Sequence, residues 1–468
     1  MKIKSLLRIL LTLTLVFGFS SAWAASIKWS MKGDSLTLDP HAQNEGPTTM
    51  VSRQVYEALV TRGLDMKIGP QLATKWKAVN PTTWYFYLRE DVKFSDGTPM
   101  TSEDVVFSFI RAQQPTSDFK EYISSISSVK AIDKYTVQIK TTEPNPILLN
   151  QISNIFVMSK AWATKNFSLA PQNWNASQET YASTNAMGTG PFKITLREPN
   201  TKTVFKKNGK WWGNVEHNLS SIELLPIANA ATRVAALLSG EIDIVTDAPV
   251  QDLGRIGNSA THKVVSTPQM RTIFLGMDQG ADQLRSGNTG DNPFKKKKVR
   301  QALYQAIDIE AIQKKVMRGL SEPAGIITFP GVTGYTKALD KRLSYDPEAA
   351  KQLLADAGYP DGFDVELRCP NDRYVNDEAI CTAVVGMFGK IGVNVSLNSQ
   401  TKSKHFKELK NKKGDFYMLG WGVPTLDSHY VFHYLYDSGA SWNRVNFSNT
   451  RVDELIKVME GEVDLTKR

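Results

Sequence analysis

Residues 364–399, "DVELRCPNDRYVNDEAICTAVVGMFGKIGVNVSLNS", set the fold class of this chain. Residues 364–370 predict a strand, residues 377–392 predict a helix, and residues 393–399 predict a second strand. Strands that alternate with helices of this length indicate open, largely parallel sheets. The chain is therefore predicted to be an α/β protein, and ligands of such sheets bind at the carboxyl ends of the strands.

The alternation continues on both sides of this stretch. Downstream, residues 415–422 predict a strand. Upstream, helices are predicted at 294–318 and at 346–359, the second capped by Asp346 and ended by Gly358. Before residue 290 the predicted elements are of mixed type: a strand at 84–97, a helix at 100–113 capped by Thr101 or Ser102, a strand at 131–145, a hairpin at 190–208, a strand at 222–227, a helix at 229–243 closed by Gly240, and a short strand at 242–246.

The first 24 residues have the composition of a secretory signal peptide. Lys2, Lys4 and Arg8 form a positive start, residues 9–19 form an apolar core, and Ala22-Trp23-Ala24 ends the segment with a small-x-small pattern. No later stretch of the sequence approaches the ~20 consecutive apolar residues that a membrane-spanning helix needs. We therefore expect an exported, soluble, periplasmic protein that is cleaved after Ala24.

Size and charge narrow the class of protein further. The 468-residue sequence carries a net charge of +9, which falls to +6 without the three positive residues of the signal peptide. Its only dense basic run, residues 295–298, is interpreted as the solvated start of a helix. Nucleic acid is therefore not an expected partner, and the length predicts two or three lobes.

The two cysteines, Cys369 and Cys381, are expected to form one disulfide bond. Export places them in an oxidising compartment, where two cysteines most simply pair with each other. Their separation is short for a zinc site, and the sequence has no CxxC pair.

Residues 419–436, "LGWGVPTLDSHYVFHYLY", contain a possible metal-binding pattern. His429 and His433 are four residues apart and follow Asp427, so they could hold zinc or nickel if the whole segment were helical. Gly422 and Pro424 instead predict a loop at its start. We therefore expect no metal and no cofactor, and we interpret His433 as a polar residue on an aromatic helix face.

Recognised catalytic motifs are absent from the sequence. It has no GxSxG elbow, no HExxH, no P-loop and no GxGxxG after a strand. The many Asp and Glu residues could still supply a carboxylate pair, so a periplasmic hydrolase is the alternative from another class. We expect no catalytic residues, and the protein is not expected to be an enzyme.

A series of motifs in a characteristic order carries a family resemblance. The motifs are "SLTLDPHAQNE" (35–45), "VYEALV" (55–60), "PQLATKW" (70–76), "WYFYLREDVKFSDGTPMTSEDVVFSF" (84–109), "GTGPF" (188–192), "NGKWWG" (208–213), "RVAALLSGEIDI" (233–244), "NPFKKKKVRQALYQAIDIEAI" (292–312) and "YDPEAAKQLLADAGYPDGF" (345–363). In this combination the chain resembles the periplasmic solute-binding proteins of peptide, opine and nickel ABC importers. This is the family of the oligopeptide- and dipeptide-binding proteins, and the resemblance covers nearly the whole chain after the signal peptide.

The resemblance implies a periplasmic binding protein type II-like fold with mixed open sheets. Two lobes joined by a hinge close on a ligand, and an extra lobe packs alongside. The expected boundaries are 25–56 and 186–283 for lobe I, 57–185 for the extra lobe, and 284–468 for lobe III, which faces lobe I across the cleft. Family members usually run on and return to lobe I, so a return segment is expected to be missing from this sequence.

The resemblance also implies where the ligand binds. Asn44 and Glu45 face the cleft, and Trp421 at the strand end Gly420-Trp421 lines it. Arg373, in "CPNDRY", is expected to bind a ligand carboxylate, the alternative being a surface charge on a loop. The other residues expected at the cleft are Tyr374, His429, Tyr430 and Trp442.

One position departs from the family pattern. Peptide-binding members usually carry an Asp soon after the tryptophan of the strand end, and it holds the α-ammonium of the ligand. Here the first acid after Trp421 is Asp427. Either Asp427 takes that role or the ligand has no free amine at this point.

The expected function is capture of a peptide or peptide-like solute in the cleft and delivery to a membrane ABC permease. An opine, an oligosaccharide or another non-peptide solute is the alternative ligand, and chelated nickel is a weaker one. The protein is expected to act as a monomer.

Overall fold

The computed structural model describes residues 25–464 and 466–468. The predicted signal peptide, residues 1–24, lies outside the described residues. The described part contains a five-stranded sheet, two four-stranded sheets and a two-stranded ribbon. Among these residues, no helix has the length and apolar character needed to cross a bilayer.

The strands are numbered in chain order. They are β1 (Ala25–Met31), β2 (Val60–Arg62), β3 (Ile68–Pro70), β4 (Ala73–Asn80), β5 (Thr83–Leu88), β6 (Ile126–Asp133), β7 (Thr136–Thr141), β8 (Phe192–Glu198), β9 (Lys202–Lys207), β10 (Leu219–Pro226), β11 (Ile244–Val245), β12 (Arg271–Met277), β13 (Phe363–Pro370), β14 (Val393–Gln400) and β15 (Phe416–Gly422).

The α-helices are numbered in the same way. They are α1 (Gly46–Ser52), α2 (Ser102–Ala112), α3 (Leu148–Ile152), α4 (Lys160–Lys165), α5 (Tyr181–Thr184), α6 (Ala230–Leu238), α7 (Leu253–Gly257), α8 (Lys297–Gln305), α9 (Ile309–Ala311), α10 (Pro347–Asp356), α11 (Asp377–Gly389), α12 (Lys402–Lys410), α13 (His429–Leu435) and α14 (Thr450–Gly461). Short 3₁₀ turns occupy Lys120–Ile123, Val250–Asp252 and Pro293–Lys295, and a π-turn follows α9 at Ile312–Val316.

The first sheet has the strand order β11-β1-β10-β9-β8. β1 runs parallel to β10 and β11, whereas β8, β9 and β10 are antiparallel neighbours. Its core includes Trp29, Tyr56, Phe205 and Leu224. The hairpin predicted at 190–208 is confirmed as β8 and β9, and the helix closed by Gly240 is confirmed as α6.

The C-terminal sheet has the order β12-β15-β13-β14. β13 and β14 are parallel and are joined by α11, as residues 364–399 predict. β15 is parallel to β13 and antiparallel to β12, so the sheet is mixed. Cys369 at the end of β13 and Cys381 on α11 form the expected disulfide bond.

The remaining four-stranded sheet, β4-β5-β7-β6, is antiparallel throughout. The expectation of largely parallel sheets is therefore wrong for this region. Only two residues separate β4 from β5 and β6 from β7, and such short connections can join only antiparallel strands. The sheet packs on α2, whose Thr101 and Asp104 form a capping box.

Three predicted elements have different bounds. The strand predicted at 131–145 is the hairpin β6–β7, because the side chain of Asp133 accepts a hydrogen bond from the Tyr135 N–H and turns the chain. The strand predicted at 84–97 ends at Leu88. The helix predicted at 294–318 is interrupted after Gln305, because the side chain of Asp308 caps a new turn by accepting the Ala311 N–H.

Three of the sequence motifs meet at one buried carboxylate. Glu57 accepts hydrogen bonds from the Thr189 hydroxyl at 2.7 Å and from the indole N–H groups of Trp211 and Trp212 at 3.1 and 2.9 Å. A Cβ atom at Gly188 would lie 2.1 Å from the Val55 carbonyl oxygen, so this close approach requires glycine. The motifs "VYEALV", "GTGPF" and "NGKWWG" therefore form a single structural unit.

Candidate functional site

Most of the site residues predicted from the sequence lie along the seam between the first sheet and the C-terminal sheet. Asn44 and Glu45 precede α1, and Arg373 and Tyr374 lie in the loop from β13 to α11. Trp421 lies near the end of β15. The loop from β13 follows the carboxyl end of a parallel strand, which is where α/β sheets bind ligands.

Glu45 occupies the centre of a buried charge cluster. Its Oε1 atom accepts the backbone N–H of Thr48 at 2.9 Å and thereby caps α1. The same oxygen accepts a bond from Lys402 Nζ at 3.1 Å, and Oε2 lies 3.3 Å from Arg373 Nε. Burial alone would raise the pKa of Glu45, but the charges of Lys402 and Arg373 outweigh it and lower the pKa.

Arg271 adds a third cation to this cluster. Arg271 is the first residue of β12 and pairs with Gly422 of β15. Its Nη1 atom donates a hydrogen bond to the Gly420 carbonyl at 3.0 Å. Burial, with a smaller contribution from the charge of Arg373, lowers the pKa of Arg271 to about 10. A Cβ atom at Gly46 would lie 3.1 Å from Arg373 Nη2 and 3.6 Å from Arg271 Nη2, so the two guanidinium groups converge beside Gly46.

Neither guanidinium group is fully hydrogen-bonded. The Nε atoms of Arg271 and Arg373 are buried and have no hydrogen-bond partner among the described residues. Although Arg373 Nε is near Glu45, the two atoms do not have hydrogen-bond geometry. Glu45 Oε2 is likewise a buried atom without a hydrogen-bond partner, so the acceptor nearest to Arg373 Nε is itself unpaired. Buried donors without acceptors are rare in folded proteins, and each one requires an explanation such as a water or an ion.

Tyr374 fixes both arginines to β15. Its ring lies 4.8 Å from the guanidinium carbon of Arg373 and 5.8 Å from that of Arg271. Its hydroxyl accepts the Gly420 N–H at 2.9 Å. A Cβ atom at Gly420 would lie 2.8 Å from the Tyr374 ring, so glycine at the strand end permits this contact.

Asp377, the first residue of α11, holds the loop that carries Arg373. One carboxylate oxygen accepts the backbone N–H groups of Arg373 and Tyr374 at 2.9 and 2.8 Å. The other accepts Lys32 Nζ, which reaches across the seam from the end of β1. The loop position of Arg373 is thus set by both sides of the seam.

An aromatic cluster forms the adjoining wall of the seam. The rings of Trp421 and Tyr430 are stacked with centroids 5.8 Å apart, and Trp442 packs edge-on against Trp421 at 5.8 Å. The Tyr430 hydroxyl accepts a bond from Asn44 Nδ2 at 2.9 Å and from the Tyr122 hydroxyl at 3.0 Å. Four of the predicted residues, Asn44, Trp421, Tyr430 and Trp442, are therefore brought together.

Asp427 and His429 lie apart from the charge cluster. The Asp427 carboxylate binds Arg468 through Nη2 at 2.7 Å and Nε at 3.0 Å, and both side chains are buried. His429 stacks on His433 with ring centroids 5.1 Å apart, and burial lowers the pKa of His429 to about 3. His433 Nε2 lies 3.3 Å from a carboxylate oxygen of Glu121. Within the described residues, no group of three or more His, Cys, Asp or Glu is placed to hold a metal ion.

The sequence reasoning missed Arg271, Lys402 and Tyr122. A signal existed for the first two. Arg271 begins a strand that is apolar from Ile273 onward, and Lys402 follows the carboxyl end of β14. No local pattern marks Tyr122, because its role arises from a contact with Tyr430 on a distant helix.

Comparison with known proteins points to one family. The model of the bacterial extracellular solute-binding proteins, family 5 middle region, matches residues 67–443. The periplasmic murein peptide-binding protein MppA of Escherichia coli K12 is 26% identical over 452 residues, covering 91% of this chain and 80% of that protein. The glutathione-binding protein GsiB of Salmonella typhimurium is 24% identical, covering 94% of this chain and 83% of that protein.

Solved structures give the same result for the fold. The binding protein AgaA in complex with agropinic acid, from A. tumefaciens R10, has a TM-score of 0.80 at 27% identity, covering 95% of this chain and 87% of that one. The oligopeptide-binding protein AppA of Bacillus subtilis, in complex with a nonapeptide, has a TM-score of 0.83 at 21% identity and covers 95% and 88%. The type II binding-protein fold expected from the sequence is confirmed.

Proposed function

The chain belongs to the bacterial extracellular solute-binding proteins of family 5 and is thus a solute-binding protein of an ABC importer, and we propose that its solute carries a free carboxylate held by Arg271 and Arg373. The observation that carries this proposal is the convergence of two partly unpaired guanidinium groups at the seam. Arginine is suited to this role because its planar group binds a carboxylate through two parallel hydrogen bonds.

The charge balance of the cluster supports an anionic group. Arg271, Arg373 and Lys402 lie around the carboxylate of Glu45, and the carboxylate of Asp372 also lies near Lys402, so the cluster holds one cation more than its carboxylates. Burying an excess of positive charge is costly unless it is paired, and a bound carboxylate would pair it. It would also give acceptors to the two Nε–H groups that have none among the described residues.

A peptide or peptide-like solute is our leading candidate. The names of the similar proteins include a murein peptide, glutathione and an opine-type acid, agropinic acid, which keeps a non-peptide solute as the alternative. The seam adds aromatic surface at Trp421, Tyr430 and Trp442, which gives contact area without requiring one ligand shape. An ammonium group would reach Asp427 only by displacing Arg468, so recognition through the carboxylate is favoured.

The family and the composition of residues 1–24 support a proposal for where the protein acts and how it delivers its solute. The basic and apolar segment at residues 1–24 supports export to the periplasm. There the protein would act as a monomer, bind its solute by hinge closure between the lobes, and present it to a membrane permease. The mild charge after Ala24 gives no support to a nucleic-acid partner.

A thermal-shift screen tests the proposal. The chain from Ala25 to Arg468 is heated with di- to pentapeptides, opines and oligosaccharides, because a ligand that binds the native state raises the melting temperature. Each peptide that gives a shift is then compared with its C-terminal amide. We expect the free acid to shift the melting temperature and the amide to lose most of the shift.

Two outcomes would contradict the proposal. Equal shifts in melting temperature from the free acid and the amide would show that the carboxylate is not recognised. Shifts from neutral oligosaccharides alone would show that the solute belongs to another class. The same incubations, analysed for products, address the hydrolase alternative, since a binding protein returns its ligand unchanged.

A further inference from the structure

Helix α1 has an accessible face that begins at the carboxylate site. The buried residues of this helix are Pro47, Thr48, Val51 and Ser52. Solvent reaches the other positions and the C-cap, which are Gly46, Thr49, Met50 and Arg53. Positions that are three, four and seven residues apart lie on one side of a helix, so these four residues form a single accessible stripe.

Gly46 and Arg53 lie at opposite ends of this stripe. The backbone stays helical through Arg53, and the seven residues between the two positions make almost two full turns with a rise of roughly 10 Å. The guanidinium groups of Arg271 and Arg373 converge beside Gly46. Arg53 therefore adds a third guanidinium group on the side of α1 that faces this pair. Side chains of a helix lean toward its N-terminus, so Arg53 extends back toward the pair.

The side chain of Arg53 is open to solvent and holds its charge without an acidic neighbour among the described residues. Its Nη2 atom donates to Asn154 Oδ1 at 3.4 Å, and its guanidinium carbon lies 5.5 Å from the centre of the Phe156 ring. Surrounding protein atoms displace enough water to lower the pKa of Arg53, and only the Tyr122 hydroxyl opposes this shift. A cation that is accessible but short of water and of counter-charge gains from binding an anion.

A second arginine increases the positive charge at this end of the stripe. Arg62 donates to the Met66 carbonyl at 2.6 Å, to Asn150 Oδ1 at 2.9 Å and to the Pro424 carbonyl at 3.3 Å. All three acceptors are neutral. Burial lowers the pKa of Arg62, and the charge of Arg53 lowers it further, so the two cations lie close enough to repel each other.

A pair of phenol groups connects this end of the stripe with the carboxylate site. The Tyr122 hydroxyl donates to the Tyr430 hydroxyl at 3.0 Å. Burial raises the pKa values of both tyrosines, and a guanidinium charge opposes that effect at each of them, Arg271 at Tyr430 and Arg53 at Tyr122. Arg53 and Arg271 therefore lie near the two members of one hydrogen-bonded pair, which places both arginines along the same seam.

We propose that the solute carries a second anionic group, which Arg53 binds, so that the seam selects solutes with two acidic groups no more than roughly 10 Å apart. The inference rests on the proposed function, in which Arg271 and Arg373 hold the first carboxylate. An extended peptide advances by about 3.3–3.6 Å per residue, so an acidic side chain one or two residues before the C-terminal residue spans this distance.

Paired tripeptides test the second anionic group by titration calorimetry of the chain from Ala25 to Arg468. The pairs are Glu-Ala-Ala with Gln-Ala-Ala, and Ala-Glu-Ala with Ala-Gln-Ala. Length, shape and the terminal groups are the same within a pair, so a difference in affinity reports the side-chain carboxylate alone. We expect the Glu peptide to bind about 10-fold more tightly than the Gln peptide in at least one pair, the effect of one charged hydrogen-bonded contact.

Variants assign this preference to Arg53. Arg53→Gln should weaken binding of the Glu peptide to the level of the Gln peptide and leave the Gln peptide unchanged, which also shows that the variant is folded. Arg53→Lys should keep part of the preference, because it retains the charge. Arg255→Gln, which removes a positive charge from an exposed position, should keep all of it. Arg373→Gln should weaken both peptides of a pair by similar factors.

The outcomes separate this inference from the proposed function. Equal affinities within both pairs, together with weaker binding of all four peptides to Arg373→Gln, overturn the role of Arg53 and leave the proposed function standing. A preference for Glu that survives in Arg53→Gln likewise overturns it, because the second carboxylate then binds elsewhere. If none of the four peptides binds, or if their C-terminal amides bind equally well, the proposed function fails and the inference fails with it.

Discussion

Glu45 and Arg373 face each other across the seam, with 3.3 Å between Glu45 Oε2 and Arg373 Nε. Glu45 precedes the first helix, whereas Arg373 lies in the loop from β13 to α11. The pair therefore joins the two sides of the seam and at the same time limits the excess positive charge there. A solute carboxylate would complete the pairing that Glu45 begins.

The first prediction concerns Glu45→Gln. Removing this carboxylate leaves Lys402 and Arg373 buried without their partner, so we expect the free energy of unfolding to fall by about 3 kcal/mol. Urea unfolding of the solute-free protein measures it. Glu310→Gln, at an exposed position, is the matched control and should change little.

The pH dependence of this pair has a definite sign. Because the pKa of folded Glu45 is lowered, its contribution to stability is present above the pKa of the unfolded chain and is lost as the pH falls through the folded value. The difference in unfolding free energy between wild type and Glu45→Gln should therefore become smaller below about pH 4. A gap that stays constant into strong acid would contradict the charge pairing.

The second prediction concerns the two arginines. Arg271→Gln and Arg373→Gln should each weaken binding of the carboxylated solute by about 10- to 100-fold. Arg373→Lys should recover only part of the loss, because one ammonium group cannot make two parallel bonds to a carboxylate. Titration calorimetry measures these affinities, with Arg255→Gln as the control. Full recovery by lysine would indicate a charge effect without bidentate geometry.

The third prediction concerns His433 and Glu121. Burial alone would lower the pKa of His433, but the carboxylate of Glu121, 3.3 Å from Nε2, outweighs it and raises the pKa. The contribution of the pair to stability is therefore complete below the unfolded pKa of about 6.5 and is lost as the pH rises through the folded value.

Glu121→Gln provides the test of this pair. We expect it to lower the unfolding free energy by about 1–2 kcal/mol at about pH 6 and by less at about pH 8.5. The neighbouring acids Glu460 and Asp437 also raise the pKa of His433, whereas His429 stays neutral with a pKa of about 3. An equal loss at both pH values would mean that Glu121 acts without pairing to a charged histidine.

The fourth prediction concerns the disulfide bond between Cys369 and Cys381. Their sequence separation of 12 residues closes a loop that includes Arg373 and Tyr374. Replacing both cysteines with alanine should lower the unfolding free energy by about 3 kcal/mol, as expected for a loop of this size.

The reduced wild-type protein is the control for that variant. Both proteins should unfold at similar denaturant concentrations and bind the solute more weakly, because the loop that holds Arg373 is less restrained. Unchanged affinity in both would show that Asp377 alone keeps the loop in place.

Local patterns predicted much of this fold. Residues 364–399 form two parallel strands and a helix, as their alternation indicates, and the two cysteines pair across that unit. The same reasoning failed at 131–145 and at 294–318, where single side-chain caps, Asp133 and Asp308, turn or interrupt the chain. Such caps depend on the backbone geometry of a few atoms, which periodicity does not resolve.

By itself the sequence determined the family, the α/β class and the disulfide partners, because these features appear in composition, spacing and motifs. Only the tertiary structure placed Arg271 beside Arg373, surrounded Glu45 with cations, and paired Asp427 with Arg468. These contacts join segments that lie far apart in the chain. Their geometry is decided by how the sheets pack together, and no local rule of the sequence contains that information.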